Sequence, residues 1–365
     1  LPKANILESM RYFAKITTTF ALALVFSAGM AFAQQSESDV TQDGDNSTAD
    51  VTQTNNGSAD IDATVMQSGG SNSATIGQTA GDGVATATVT QTLGGAEATV
   101  TQSLSRNLDA DADVTQAGNN FAEVDQLDVA SVDAVVNQTN VGGADGVLNS
   151  ADVTQQSTTG SDADVNQTGA DNRATVSQTG TFSMDADATQ NGRGNIGVLT
   201  QTGGSPGNGA VADLYQNGRN NIARLDQNGG ARDEYGPATA DVDQDGNANK
   251  VIGRNGARAV DQEDGASLTA DQDGNSNVVR LDQGDNAMAN IVQDGNGNEL
   301  QGFGSTRDVT LQGEGAELLL DQLGNNNLSR VEQAGGASAD IDQFGSGDIA
   351  NVDQNGASTT TVTQQ

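Results

Sequence analysis

The side chains here that could do chemistry are carboxylates, hydroxyls, amides and a few cations: 49 Asp and Glu, 15 Lys and Arg, and neither His nor Cys. Those absences remove imidazole- and thiol-activated nucleophiles, thiolate or imidazole zinc sites, and any disulfide framework. Carboxylates alone could still serve glycoside hydrolysis or a hard, oxygen-ligated cation. Asp is spread too evenly for a hydrolytic pair to stand out. Asp241-Val242-Asp243-Gln244-Asp245-Gly246 opens like an EF-hand loop, but Ile252 stands where the closing Glu belongs. No catalytic residue, metal ligand or cofactor is therefore expected.

What recurs is the amide. The frame QNGRNNIARLDQ at 216 to 227 returns as QTGADNRATVSQ at 167 to 178, QNGRGNIGVLTQ at 190 to 201 and QDGNSNVVRLDQ at 272 to 283. It returns again as QLGNNNLSRVEQ at 322 to 333 and QFGSGDIANVDQ at 343 to 354. The frame nominates Gln167, Gln178, Gln190, Gln201, Gln216, Gln227, Gln272, Gln283, Gln322, Gln333, Gln343 and Gln354, with Gln42, Gln53 and Gln364 at the same place in the outer segments. A side-chain amide carries both donors and an acceptor, so identical amides stacked in register can satisfy one another. Asn172, Asn221, Asn277 and Asn327 can do likewise or hold the turn. Gly169, Gly192, Gly218, Gly274, Gly324 and Gly345 are the expected turn glycines, placed where other residues resist the backbone angles.

Strands must position these amides. Before each Gln the residues alternate, as in Ala49-Asp50-Val51-Thr52-Gln53 and Ala223-Arg224-Leu225-Asp226-Gln227, which puts Ala, Val or Leu and Gln on one face and Asp, Thr or Arg on the other. Turn signals follow, Asn-Gly or Asp-Gly in one arc and Gly-Gly-Ala or Gly-Ala in the other, as at Gly94-Gly95-Ala96 and Gly335-Gly336-Ala337. Two such steps make a unit of about 21 to 25 residues, a solenoid period. A five-residue strand cannot stand alone against an ordering cost of about 1 to 2 kcal/mol per residue, so each must pair with its copies above and below. The expected fold is all-β: a flattened two-sheet β-solenoid of about 14 to 15 strand-turn-strand rungs with cross-β-like stacking.

Composition agrees with a thin core: 34% of residues are hydrophobic and 3% aromatic, too few large side chains for two ordinary globular cores. The net charge of -34 argues against nucleic acid as a partner. At the amino end, the basic start Met10-Arg11-Tyr12-Phe13-Ala14-Lys15, an apolar run and Ala31-Phe32-Ala33 read as a secretory signal peptide over 1 to 33, with Met10 as the start. The repeat region is then 34 to 365, exported and without a membrane span.

The frame QxGxxNxAxxxQ, complete at 167 to 178 and 216 to 227, resembles the curlin repeat of curli fibre subunits. Other copies drift, with Gly197 and Val279 in the Ala place and Asp348 in the Asn place. The resemblance implies a secreted bacterial functional amyloid that polymerises at the cell surface as biofilm matrix. Implied partners are further copies of itself, other curlin subunits and the outer-membrane export machinery. An acidic, non-polymerising adhesin or matrix rod is the alternative, followed by an ice-binding solenoid presenting rows such as Thr86, Thr88 and Thr90.

Three further expectations follow. Outward Asp on successive rungs would repel at roughly 1 kcal/mol per pair, which keeps the chain soluble or makes assembly respond to protons or divalent cations. The first and last rungs look uncapped, and an open sheet edge recruits strands. At Arg254 an arginine takes a ladder place, so register between 251 and 272, and again between 301 and 322, is expected to slip.

Overall fold

The computed structural model describes residues 23–24, 35–104, 108–140, 148–180, 182–203, 209–229, 236–253, 259–303 and 310–365. Most of the expected signal peptide lies outside these. Within it, Ala23–Leu24 pairs with Asp50 and Val51.

The described residues form strands and turns only, in two parallel sheets. The chain alternates between them, so each strand pairs with the strand two steps away in sequence, as a solenoid requires. One sheet is unbroken: its 14 strands run from Gln35–Asp43 through Asp60–Ser68 and onward to Thr359–Gln364. At about 4.8 Å per rung the rod is about 65 Å long. The other sheet is interrupted. It has 16 strands, because two of its rungs are split.

Strict alternation builds both sheets. Ser338–Gln343 follows the pattern half-buried, buried, three times over, with Ala339, Ile341 and Gln343 inside. The core between the sheets is Ala and Val for most of its length, with Leu and Ile such as Leu225, Leu281, Ile291 and Ile341 in the carboxyl-terminal half. Small side chains let the sheets approach closely, and every rung covers its neighbour's edge.

Arg254 itself lies outside the described residues, but the described strands on either side of it keep their register. Val251 pairs with Ala223, and Val260 pairs with Leu225, so the sequence between Val251 and Val260 is an insertion relative to Arg224. Gln262 then lies against both Gln227 and Gln283 and takes the ladder place. The second irregular region repeats this device: Leu300 pairs with Val279, Thr310 with Leu281, and Gln312 with Gln283. An insertion inside a strand preserves register on both sides because the flanking residues still find their stacked copies.

Candidate functional site: two amide ladders

In the unbroken sheet the glutamines form one continuous chain of hydrogen bonds. Gln42 Nε2 donates to Gln67 Oε1, Gln67 to Gln91, Gln91 to Gln116, Gln116 to Gln138 and Gln138 to Gln167, at 2.7 to 2.9 Å. The chain continues from Gln167 to Gln190, Gln216, Gln244 and Gln272, at 2.7 to 2.8 Å. It ends through Gln293, Gln322, Gln343 and Gln364, again at 2.7 to 2.8 Å. In the interrupted sheet Gln53 donates to Gln78, Gln155 to Gln178, Gln178 to Gln201, Gln201 to Gln227, Gln227 to Gln262 and Gln262 to Gln283, at 2.9 to 3.1 Å. Gln333 donates to Gln354 at 3.1 Å.

Each amide also spans the core. Gln216 Nε2 reaches Ile196 O at 3.2 Å, Gln190 Nε2 reaches Arg173 O at 3.1 Å, and Gln227 Nε2 reaches Val211 O at 2.9 Å. One N–H therefore points up the ladder while the other ties the two sheets together, and the oxygen accepts from the rung before. Gln190, Gln216, Gln227, Gln272 and Gln322 are wholly buried at 0% exposure, which is tolerable only because their polar atoms are paired. All the ladder bonds run the same way. Acceptor oxygens face the amino-terminal end of the rod and N–H donors face the carboxyl-terminal end.

The asparagines form a second column. Asn172 N donates to Asn149 Oδ1, Asn195 N to Asn172, Asn221 N to Asn195, Asn277 N to Asn249 and Asn327 N to Asn298, at 3.0 to 3.2 Å. Each Nδ2 closes its own turn and grips the next rung: Asn221 reaches Asn217 O and Gly246 O, both at 3.0 Å. The column ends at Asp348, whose backbone N–H still finds Asn327 Oδ1 at 3.1 Å. Its Oδ2 is buried without a partner, because a carboxylate cannot donate where Asn donates.

The turn glycines stack just as closely. A Cβ at Gly192 would lie 2.0 Å from Gly218 O, and at Gly274 2.0 Å from Gly295 O. Gly169, Gly192, Gly218, Gly274 and Gly324 have φ between 107 and 120, a region closed to other residues. Gly345, last in the column, shares the stack without the positive φ, and its Cβ would meet Asp348 Oδ2 at 2.7 Å.

Sequence reasoning missed Gln262, hidden by the insertion before it, together with Asn195, Asn249 and Asn298. The asparagines had a signal. Each falls five residues after a ladder glutamine, as Asn172 does after Gln167.

Carboxylates stack on the outer face of the unbroken sheet. Asp133 lies beside Asp111 and Asp162, Asp162 beside Asp185, and Asp187 beside Asp164 and Asp213. Partial desolvation, then the charges of Asp164, Asp185, Asp213 and Asp162, push Asp187 up to about 6. Desolvation and like neighbours also raise Asp111, Asp133, Asp164, Asp243 and Asp271 above the usual carboxylate range. Among the described residues no group of His, Cys, Asp or Glu has the geometry to hold a metal ion.

The curlin associated repeat family matches residues 59–92. That span takes in the strands Asp60–Ser68, Ser73–Ala80 and Gly83–Thr92, with Gln67, Gln78 and Gln91 in the ladders. No curated protein matches the chain. Repeat, parallel two-sheet solenoid and amide ladders together are consistent with a curlin-repeat protein whose role is structural.

Proposed function

We propose that this chain is an exported structural subunit that stacks end to end into curli-like amyloid fibres outside the cell, as biofilm matrix. The observation that supports this most directly is the polarity of the ladders. The first ladder rung presents Gln42 and Gln53 oxygens, and the last presents an amide N–H of Gln364, while Gln354 Nε2 is turned inward to Ser338 O, Ser358 O and Thr360 Oγ1. One copy's final rung is thus chemically complementary to another's first. Placed with Gln364 over Gln42 and Gln354 over Gln53, the joint sets Thr361 over Asp39, Asn351 over Asp50 and Asp353 over Thr52, so no carboxylate meets another. Open parallel edges recruit strands in the same manner, and at the first rung removal of residues 1 to 33 takes away Ala23–Leu24, which covers Asp50 and Val51.

The test is seeded fibrillation of the purified mature chain, followed by dye binding, electron microscopy and fibre diffraction. Fibres with a meridional reflection near 4.8 Å are expected. A seeded sample that stays monomeric in sedimentation would refute polymerisation and leave an acidic matrix rod.

A further inference from the structure

The two outer faces of the rod differ. The outer face of the interrupted sheet is broken where the chain leaves the strand after Ile252 and Gln301, and both of these outward residues are buried. The other face is continuous across all 14 strands. It also holds most of the exposed large apolar side chains, Met66, Val84, Tyr215, Met288 and Leu319. We propose that two rods pair through this continuous face about a two-fold axis parallel to the rod, so that the partner covering it is a second copy of this chain.

Three columns of outward residues line the face, and the two-fold axis sets the first column of one copy against the third of the other, while the middle column meets itself. The outer columns suit that arrangement. Asp162 and Asn166 flank one strand, and Asp185 and Thr189 the next, so each carboxylate meets an amide or a hydroxyl. In later rungs the acid changes ends, with Thr239 opposite Asp243 and Ser267 opposite Asp271. Where one end turns apolar the other does too, as Val211 with Tyr215 and Met288 with Val292. Two rungs depart from this: Glu317 stands against Asp321, and Asp62 against Met66.

The middle column supplies the control. Asp164, Asp187, Asp213 and Asp241 follow one another in register, and each would face its own copy. At the usual sheet spacing of about 10 Å, two short Asp side chains bring their carboxyl oxygens to hydrogen-bond distance. Two carboxylates cannot meet there, whereas a carboxylic acid and a carboxylate sharing one proton from solvent can. Around Asp187 the charged groups are Asp162, Asp164, Asp185 and Asp213, with Arg193 at the far end of its own strand and Arg219 at the end of the next. Its raised titration, near 6, places the switch in mildly acidic medium. A face about 65 Å by 17 Å exceeds the roughly 800 Å² per partner of a standard interface.

Rod pairing presupposes the structural role proposed above, but the two have separate readouts: end-to-end growth lengthens a rod, and pairing doubles its mass per unit length. Small-angle scattering from the full mature chain gives the cross-section whatever the length, and electron-microscopic mass measurement checks it. A twofold rise in mass per length is expected as pH falls from 7.5 to 5. The variant Asp164→Asn with Asp187→Asn, Asp213→Asn and Asp241→Asn should pair already at pH 7.5, and Asp187→Lys should weaken pairing at both values. A wild-type cross-section unchanged by pH, or a quadruple variant that stays single at pH 7.5, would overturn the proposal. Rods that stay single yet bind polylysine through this face would assign it to a cationic partner and overturn it equally.

Discussion

Replacing Gln216 by Leu tests the ladders most sharply. The side chain is wholly buried and makes three bonds: from Gln190 at 2.7 Å, to Gln244 at 2.8 Å and to Ile196 O at 3.2 Å. Leucine matches its volume but makes none of them. At about 1 kcal/mol per neutral bond the direct loss is about 3 kcal/mol, and stranding Gln244 Oε1 adds about 1 to 2 kcal/mol. Burying the leucine returns about 1 to 2 kcal/mol, for a net cost of about 3 kcal/mol. The same change at Gln364 removes only the bond from Gln343 and one to Ile349 O in a half-exposed side chain, and should cost about 1 kcal/mol. A solenoid opens locally, so the assay is native-state hydrogen exchange resolved by rung, not one global melt. Gln216→Leu should accelerate exchange mainly in the strands that contain Gln190, Gln216 and Gln244. Equal effects below about 1 kcal/mol at both positions would refute the premise that buried amides hold the rungs together.

Other substitutions give opposite signs. Asp348→Asn supplies the missing donor in the asparagine column and should stabilise the last rungs by about 1 kcal/mol in the same exchange assay. Ala248, with φ 60, stands where other rungs place Gly194 or Gly297, so Ala248→Gly should stabilise by about 0.5 to 1 kcal/mol in urea unfolding. Gly246→Ala should be poorly tolerated, since its Cβ would fall 1.8 Å from Gly274 O at φ +113, and a loss of soluble chain or more than about 2 kcal/mol is expected. The raised Asp187 contributes stability that is fully present below its ordinary value of 3.8 and lost as pH rises through about 6. After allowance for solvent screening this amounts to about 1 kcal/mol, so melting temperature should fall between pH 5 and pH 7.5, and less so in Asp187→Asn.

Much of the architecture was legible because the code is short and repeated. Alternation before each Gln defines which face of a strand is buried, and a period near two strands dictates a coil of stacked rungs. The ladder places of Gln216, Gln227 and Gln343 could be named because every neighbour repeats them. Gln262 could not be named, because counting forward from Gln227 meets Arg254 first, and only spatial pairing shows that Val260 continues the strand Val251 began. Asp348 was visible as a departure from the frame, but the stranded Oδ2 depends on which carbonyls surround it.

By itself the sequence determined the strands, their inward faces and the common register, since these follow from local alternation and from identity between repeats. Only the tertiary structure decided how each amide divides its hydrogen bonds between the next rung and the facing sheet, which sheet is interrupted, and which carboxylates stand side by side. The physical reason is that a side chain's period is local, whereas its partners come from rungs more than twenty residues away, where inserted residues count in the sequence but not in the stack.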